Sequence, residues 1–187
     1  MKIASIALFA SAATAAVFDT CKDSPNTEFT VDRYFFDSFA EYSTPSHLAK
    51  DNGKIEFDLM LSSVKKPILR CSATSVIGYP IYFDGAEWFD CKDRSDQVAA
   101  SFSYNLKTGD LKIRSEWNCP NGSSWKASGK TNVGGQGECE HFDYENPNWT
   151  VANPKKWYRR ISTTCAPAIG YGGETITFKP AKIESVA

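Results

Sequence analysis

The chain has 187 residues, with 21 Lys plus Arg against 22 Asp plus Glu and a formal net charge of −1. So even a balance leaves no global field to draw the molecule onto nucleic acid or an anionic membrane, and neither is expected as a partner. Any partner has to be recognised by local shape and chemistry.

Met1 to Ala16 is ordered as a secretory leader, with Lys2 as the basic n-region, Ile3 to Phe9 as the apolar h-region and Ser11 to Ala16 as the small-residue cleavage zone. The apolar run is too short to span a bilayer, and no second long one follows. Cleavage near Val17 would leave 187 − 16 = 171 residues, a size normally built as one domain, so residues 17–187 are expected to form a single released, extracellular unit. Loss of Lys2 would bring the balance to 20 basic against 22 acidic residues, or −2.

In such an oxidising setting the six cysteines, Cys21, Cys71, Cys91, Cys119, Cys139 and Cys165, fit three bridges better than a metal site. There is no Cys-X-X-Cys pair, and neither histidine stands at ligand spacing from a cysteine. No metal or cofactor is expected. Spacing alone does not choose among the pairings that six cysteines allow.

Wherever the sequence is apolar its period is two, which argues for strands. Phe29 to Phe36 is the first candidate, and Ser38 to Lys50 reads as a turn or two. Asp51-Asn52-Gly53-Lys54 has turn chemistry before Ile55 to Leu61, whose odd positions are all apolar. Ile68 to Val76, Pro80 to Phe83 and Glu87 to Cys91 follow. Phe102 to Leu106 and Leu111 to Trp117, joined by Lys107-Thr108-Gly109-Asp110, read as a hairpin. Phe102, Tyr104 and Leu106 would face inward with Leu111, Ile113 and Trp117. Trp125 to Lys130, Trp157 to Thr164 and Thr175 to Phe178 complete the set, while Thr131 to Gly137 and Asn146 to Pro154 read as surface loops. Short strands divided by Gly, Pro, Asn and Asp predict an all-β fold, a single antiparallel barrel or sandwich stapled by disulfides.

Two sequons, Asn121-Gly122-Ser123 and Asn148-Trp149-Thr150, fall in turn-rich stretches and are candidate glycosylation sites. Catalytic chemistry is thinly represented. His47 and His141 would be the acid–base pair of a small secreted ribonuclease, the alternative to a non-catalytic reading. No Gly-X-Ser-X-Gly elbow occurs. Glu138, Glu140, Asp143 and Glu145 around His141 lack the spacing of a calcium loop and read as a solvated acidic segment. Trp157, Tyr158, Arg159 and Arg160, preceded by Lys155 and Lys156, join aromatic rings to cations and form the candidate contact surface. Strand alternation would put Trp157 and Arg159 on one face and Tyr158 and Arg160 on the other. A wall-associated carbohydrate-binding module using exposed Trp and Tyr is a further alternative.

Cys71-Ser72-Ala73, then Trp88-Phe89-Asp90-Cys91, then Ser101-Phe102-Ser103-Tyr104 resemble, in that order, the fungal Alternaria major-allergen family. Cys21, Asn52-Gly53 and the Ile55 to Leu61 strand fall where that family places comparable elements. The resemblance implies a β-barrel, a Cys71–Cys91 bridge and a Cys139–Cys165 bridge. Cys21 then either links two chains, as in dimeric members, or pairs with Cys119, so a monomer and a homodimer both stay open. Cys71 and Cys91 also lie on neighbouring candidate strands, close enough for a short ring. For function the resemblance implies a secreted, non-catalytic effector or elicitor that binds a host extracellular protein such as a plant defence protein or receptor, with a small phenolic ligand as a second class of partner.

Overall fold

The computed structural model describes residues 21–46, 49–77, 83–92, 97–134, 137–152, 157–167 and 175–186. The leader expected over Met1 to Ala16, His47, Lys155 and Lys156, and the side chains of Cys139 and Cys165, lie outside the described residues.

A 3-10 turn, Cys21–Asn26, precedes β1 (Phe29–Tyr42), β2 (Lys50–Leu61), β3 (Val64–Ile77), β4 (Phe89–Asp90), β5 (Val98–Asn105), β6 (Asp110–Asn118), β7 (Ser124–Asn132), β8 (Gly137–Glu145), β9 (Arg159–Pro167), β10 (Ile176–Phe178) and β11 (Lys182–Val186). They build two antiparallel sheets. One has the order β3-β2-β1-β9-β8 with β10 also on β1, and the other β11-β7-β6-β5-β4. The all-β antiparallel class read from alternation is the one observed.

Alternation explains the core. Ile55, Phe57, Leu59 and Leu61 of β2 are at most 3% exposed and meet Phe102, Leu111 and Ile113 of the opposite sheet, each fully buried. The rings of Phe57 and Phe102 touch edge to face at 4.9 Å, as aromatic quadrupoles prefer. Trp117 is 1% exposed, and its Nε1–H donates to Ser24 Oγ at 3.1 Å, which ties the 3-10 turn over one end of the core. The Cys21–Cys119 disulfide fastens the same turn to the end of β6. That bond lies within one chain. A second disulfide joins Cys71 on β3 to Cys91 just beyond β4.

The barrel is not closed. Along one side the sheets meet at β3 and β4, where an Arg70–Lys92 bridge and the Cys71–Cys91 bond cross between them. On the other side the partners of β1 divide: β10 pairs with Phe29–Val31, whereas β9 pairs with Phe36–Tyr42. The chain passes from β10 directly into β11 of the second sheet, so that half is covered. Among the described residues no strand of the second sheet lies beside β9 and β8, and every described side chain from Glu140 to Glu145 is exposed.

Four sequence expectations need correction. Ser38 to Tyr42 continues β1. Asn52-Gly53 makes no turn but lies inside β2, with Gly53 opposite both Ser38 and Ser75; ladders on both sides override a local turn preference. Leu106 is 36% exposed instead of facing inward, because β5 ends at Asn105. Of the loop read over Thr131 to Gly137, Thr131 and Asn132 belong to β7 and Gly137 opens β8. There Gly134 lies against Gly109 so closely that a Cβ on Gly109 would sit 2.6 Å from the Gly134 Cα. Gly109 also has φ +72°, and its carbonyl accepts from Val133 N–H at 2.8 Å.

Candidate functional site

The part of the fold left uncovered is β8 with β9. In the ladder Cys139 stands opposite Cys165 and Cys165 opposite Phe36, whose ring is buried, so odd positions of β8 and β9 share the inward side. Even positions of both strands face out.

The outward face is aromatic. Phe142 stands opposite Ser162, and Ser162 opposite Phe39; in the next row Tyr144 stands opposite Arg160, and Arg160 opposite Glu41. Phe142 and Tyr144, 55% and 39% exposed, stack with an interplanar angle of 10°. Trp157, just before β9, meets Tyr144 edge to face at 5.5 Å. The Arg160 guanidinium lies 4.4 Å above the Phe39 ring, a cation–π contact, and approaches Glu41 at 3.9 Å. Phe142, Tyr144 and Trp157 thus form a row of rings with an arginine beside it.

Apart from Ile161, the described inward-pointing side chains are polar and mutually engaged. Arg159 grips Asp143 with two N–H groups, Nε donating to Oδ1 at 2.8 Å and Nη2 to Oδ2. That clamp holds the Asp143 carboxyl below the usual carboxylate range and pushes the Arg159 guanidinium up. The Tyr158 hydroxyl donates to Glu145, which pushes the phenol up, and Trp149 packs edge to face on the Tyr158 ring at 5.3 Å. His141 Nδ1 lies 3.0 Å from Thr163 Oγ1. Asn146 fixes the approach to β9: its Nδ2 donates to Trp157 O at 3.1 Å and its N–H to Tyr158 O at 2.8 Å.

The structure therefore divides the segment 157–160 differently from simple alternation. β9 begins only at Arg159, so Trp157 turns onto the Tyr144 ring and shares the outward face with Arg160, while Tyr158 and Arg159 bind Glu145 and Asp143. Sequence reasoning missed Phe142, Tyr144 and Phe39. The strict alternation of His141, Asp143 and Glu145 with Phe142 and Tyr144 would have found two of them, had the acids not suggested a loop.

The acids around His141 do not converge. Strand geometry sends Glu140 to the opposite face from Asp143 and Glu145, and both of these are engaged. Among the described residues no group of three or more His, Cys, Asp and Glu is placed to hold a metal ion. Asn121 sits at the exposed turn between β6 and β7, where its Oδ1 accepts from Ser123 N–H at 3.0 Å and Ser123 Oγ–H at 2.7 Å. Asn148 is exposed in the turn after β8, its N–H donating to Asn146 Oδ1 at 3.1 Å.

Comparison with known protein families matches residues 27–165 to the family model described as Alternaria alternata allergen 1. The chain belongs to that family. The match begins just before β1 and ends within β9, so it takes in β8 and the whole of the aromatic face. Searches of curated proteins and of solved structures returned no match.

Proposed function

We propose that this member of the allergen family is a secreted, non-catalytic protein that binds a host extracellular protein, a plant defence protein or receptor, and thereby modulates defence. The observation that carries the reading is the exposed row Phe142, Tyr144 and Trp157 with Arg160 beside it. Aromatic side chains and arginine are the types that dominate binding energy at protein interfaces. An exposed apolar patch on an otherwise polar strand is costly in water unless something covers it for part of the protein's life. The rings are also held rigid by one another and by the Asn146 contacts, so little side-chain entropy is lost on docking. Family membership and the disulfides support action outside the cell.

The test is affinity capture from plant extracellular fluid with the unaltered protein and with Phe142→Ser, Tyr144→Ser and Trp157→Ser. Loss of a specific captured protein in the variants, with unchanged melting temperature, is expected. Capture that survives all three replacements would refute this face as the contact. RNA cleavage by the purified protein that vanishes on replacing His141 would refute the non-catalytic reading.

A further inference from the structure

A second site lies on the outer face of the same sheet, toward the other end of β1. Val31 and Tyr34 are both buried although three positions apart, because the β1–β2 register shifts between Asp32 and Phe35. The shift is a β-bulge, and it turns Arg33 outward at φ +53°, in the left-handed region that a non-glycine residue enters only at a cost. Bulges and retained strain of this kind concentrate where a side chain has to be aimed. Arg33 is aimed into a cleft of about 260 Å³ lined by Arg33, Phe35, Glu56, Phe57, Asp58 and Arg70.

At the floor of the cleft Asp58, its side chain 7% exposed, pairs with Arg33 Nη2 and lies 3.7 Å from Arg70 Nε. One guanidinium suffices to compensate one buried carboxylate. Here there are two, and their side chains are 60% and 61% exposed. Each guanidinium carries five N–H donors, of which Asp58 engages a minority. Glu56, the other acid in the lining, is engaged by Lys54 at 2.9 Å and by the Ser72 hydroxyl at 3.4 Å. Asp32 stands opposite Asp58 in the ladder, and the Lys92 N–H donates to the Arg70 carbonyl at 2.6 Å across an isolated backbone bridge. Of the charged lining residues two are guanidiniums and two are carboxylates, with Glu56 engaged elsewhere, the buried Asp58 beneath and the guanidiniums on top.

We propose that this cleft binds a small organic acid, its carboxylate received by the forks of Arg33 and Arg70 and its apolar part resting on the half-buried Phe35. Planar guanidiniums match a carboxylate in two-point geometry, and Asp58 serves as the positioning residue that holds both in place from below. The volume is below the roughly 300 Å³ at which drug-sized pockets begin, so the ligand is small. This site shares no residue with the aromatic face of β8 and β9, and either can fail without the other.

The experiment is a titration of arginine-labelled protein with sodium butyrate, reading the side-chain Nε–H resonances by NMR. Saturable shifts are expected at Arg33 and Arg70 and not at Arg159 or Arg160. Arg33→Gln and Arg70→Gln should each weaken binding about tenfold or more. Phe35→Ser should weaken butyrate while leaving acetate unchanged, and the backbone amide spectrum reports that each variant remains folded. Butylammonium should produce no shift. Equal shifts at Arg159, indifference to both arginine replacements, or no saturation at all would overturn the proposal. Binding of inorganic phosphate without butyrate would overturn the organic-acid class.

Discussion

Replacing Cys21 and Cys119 by alanine removes a covalent link between residues 98 apart in sequence. In the chain-entropy description a disulfide stabilises by confining the unfolded chain, with a free energy that grows as the logarithm of the ring it closes. The Cys71–Cys91 bridge, with a separation of 20, lies inside that ring and shortens it to an effective 98 − 20 = 78 residues. The same expression then gives about 4.5 kcal/mol at 25 °C for the Cys21–Cys119 link, against about 3.3 kcal/mol for Cys71–Cys91 alone. With a guanidinium slope of about 4 kcal/mol per molar, the midpoint of unfolding should fall by about 1 M in the double variant. The slope itself should rise as the freed unfolded chain expands. Either single variant breaks the bond completely, so each should lose nearly as much as the double, and the energies should be strongly non-additive. Equilibrium unfolding followed by tryptophan fluorescence measures all three. A loss below about 1 kcal/mol, or single losses that sum to the double, would refute the reasoning.

The buried phenols of Tyr34 and Tyr104 share a hydrogen bond of 3.2 Å, and burial, the larger cause in each, raises both. Their folded values stand above the unfolded value near 10, so this contribution is complete below about pH 10 and is lost as the pH climbs beyond it. Thermal melts should stay level up to that point and then fall, more gently in the Tyr34→Phe/Tyr104→Phe protein; identical alkaline slopes would contradict this. Trp117→Ala should cost about 3 to 5 kcal/mol by the cavity it leaves, and Trp117→Phe about 1 to 3 kcal/mol because buried Ser24 loses its donor; chemical denaturation resolves the two. Protein recovered from a secreting eukaryotic host should carry a glycan on Asn121, read as a mass shift that Asn121→Gln abolishes; an unshifted intact mass would exclude it.

The inner half of this fold was legible because burial imposes period two: Ile55 to Leu61 and Leu111 to Trp117 have one side to hide and show it in every second residue. Legibility failed where burial is weak or doubled. From Glu140 to Glu145 β8 is exposed on both faces, so the alternation of Phe142 and Tyr144 with His141, Asp143 and Glu145 buries no side, and its acids read as a loop. Gly53 sits between two partners, and no local rule reports that the ladder outweighs the turn. The candidate face suffered in the same way. Trp157 and Arg160 stood out as residue types, but their companion Phe39 comes from β1, far away in sequence, and only the β9 register brings it beside them and Phe142. Arg33 gave no sign at all, since a bulge depends on the partner strand as much as on its own residues.

The contact between Gly109 and Gly134 ties the turn of the β5–β6 hairpin to the end of β7, where the chain leaves for the other sheet, with no room for a single methyl group. A substitution at either position must push two backbones apart, and the strain would pass down β6 and β7 into their pairing. Drift is thereby barred at two sites by their own backbones, so these positions should vary far less among descendants of this chain than the bare rings of β8.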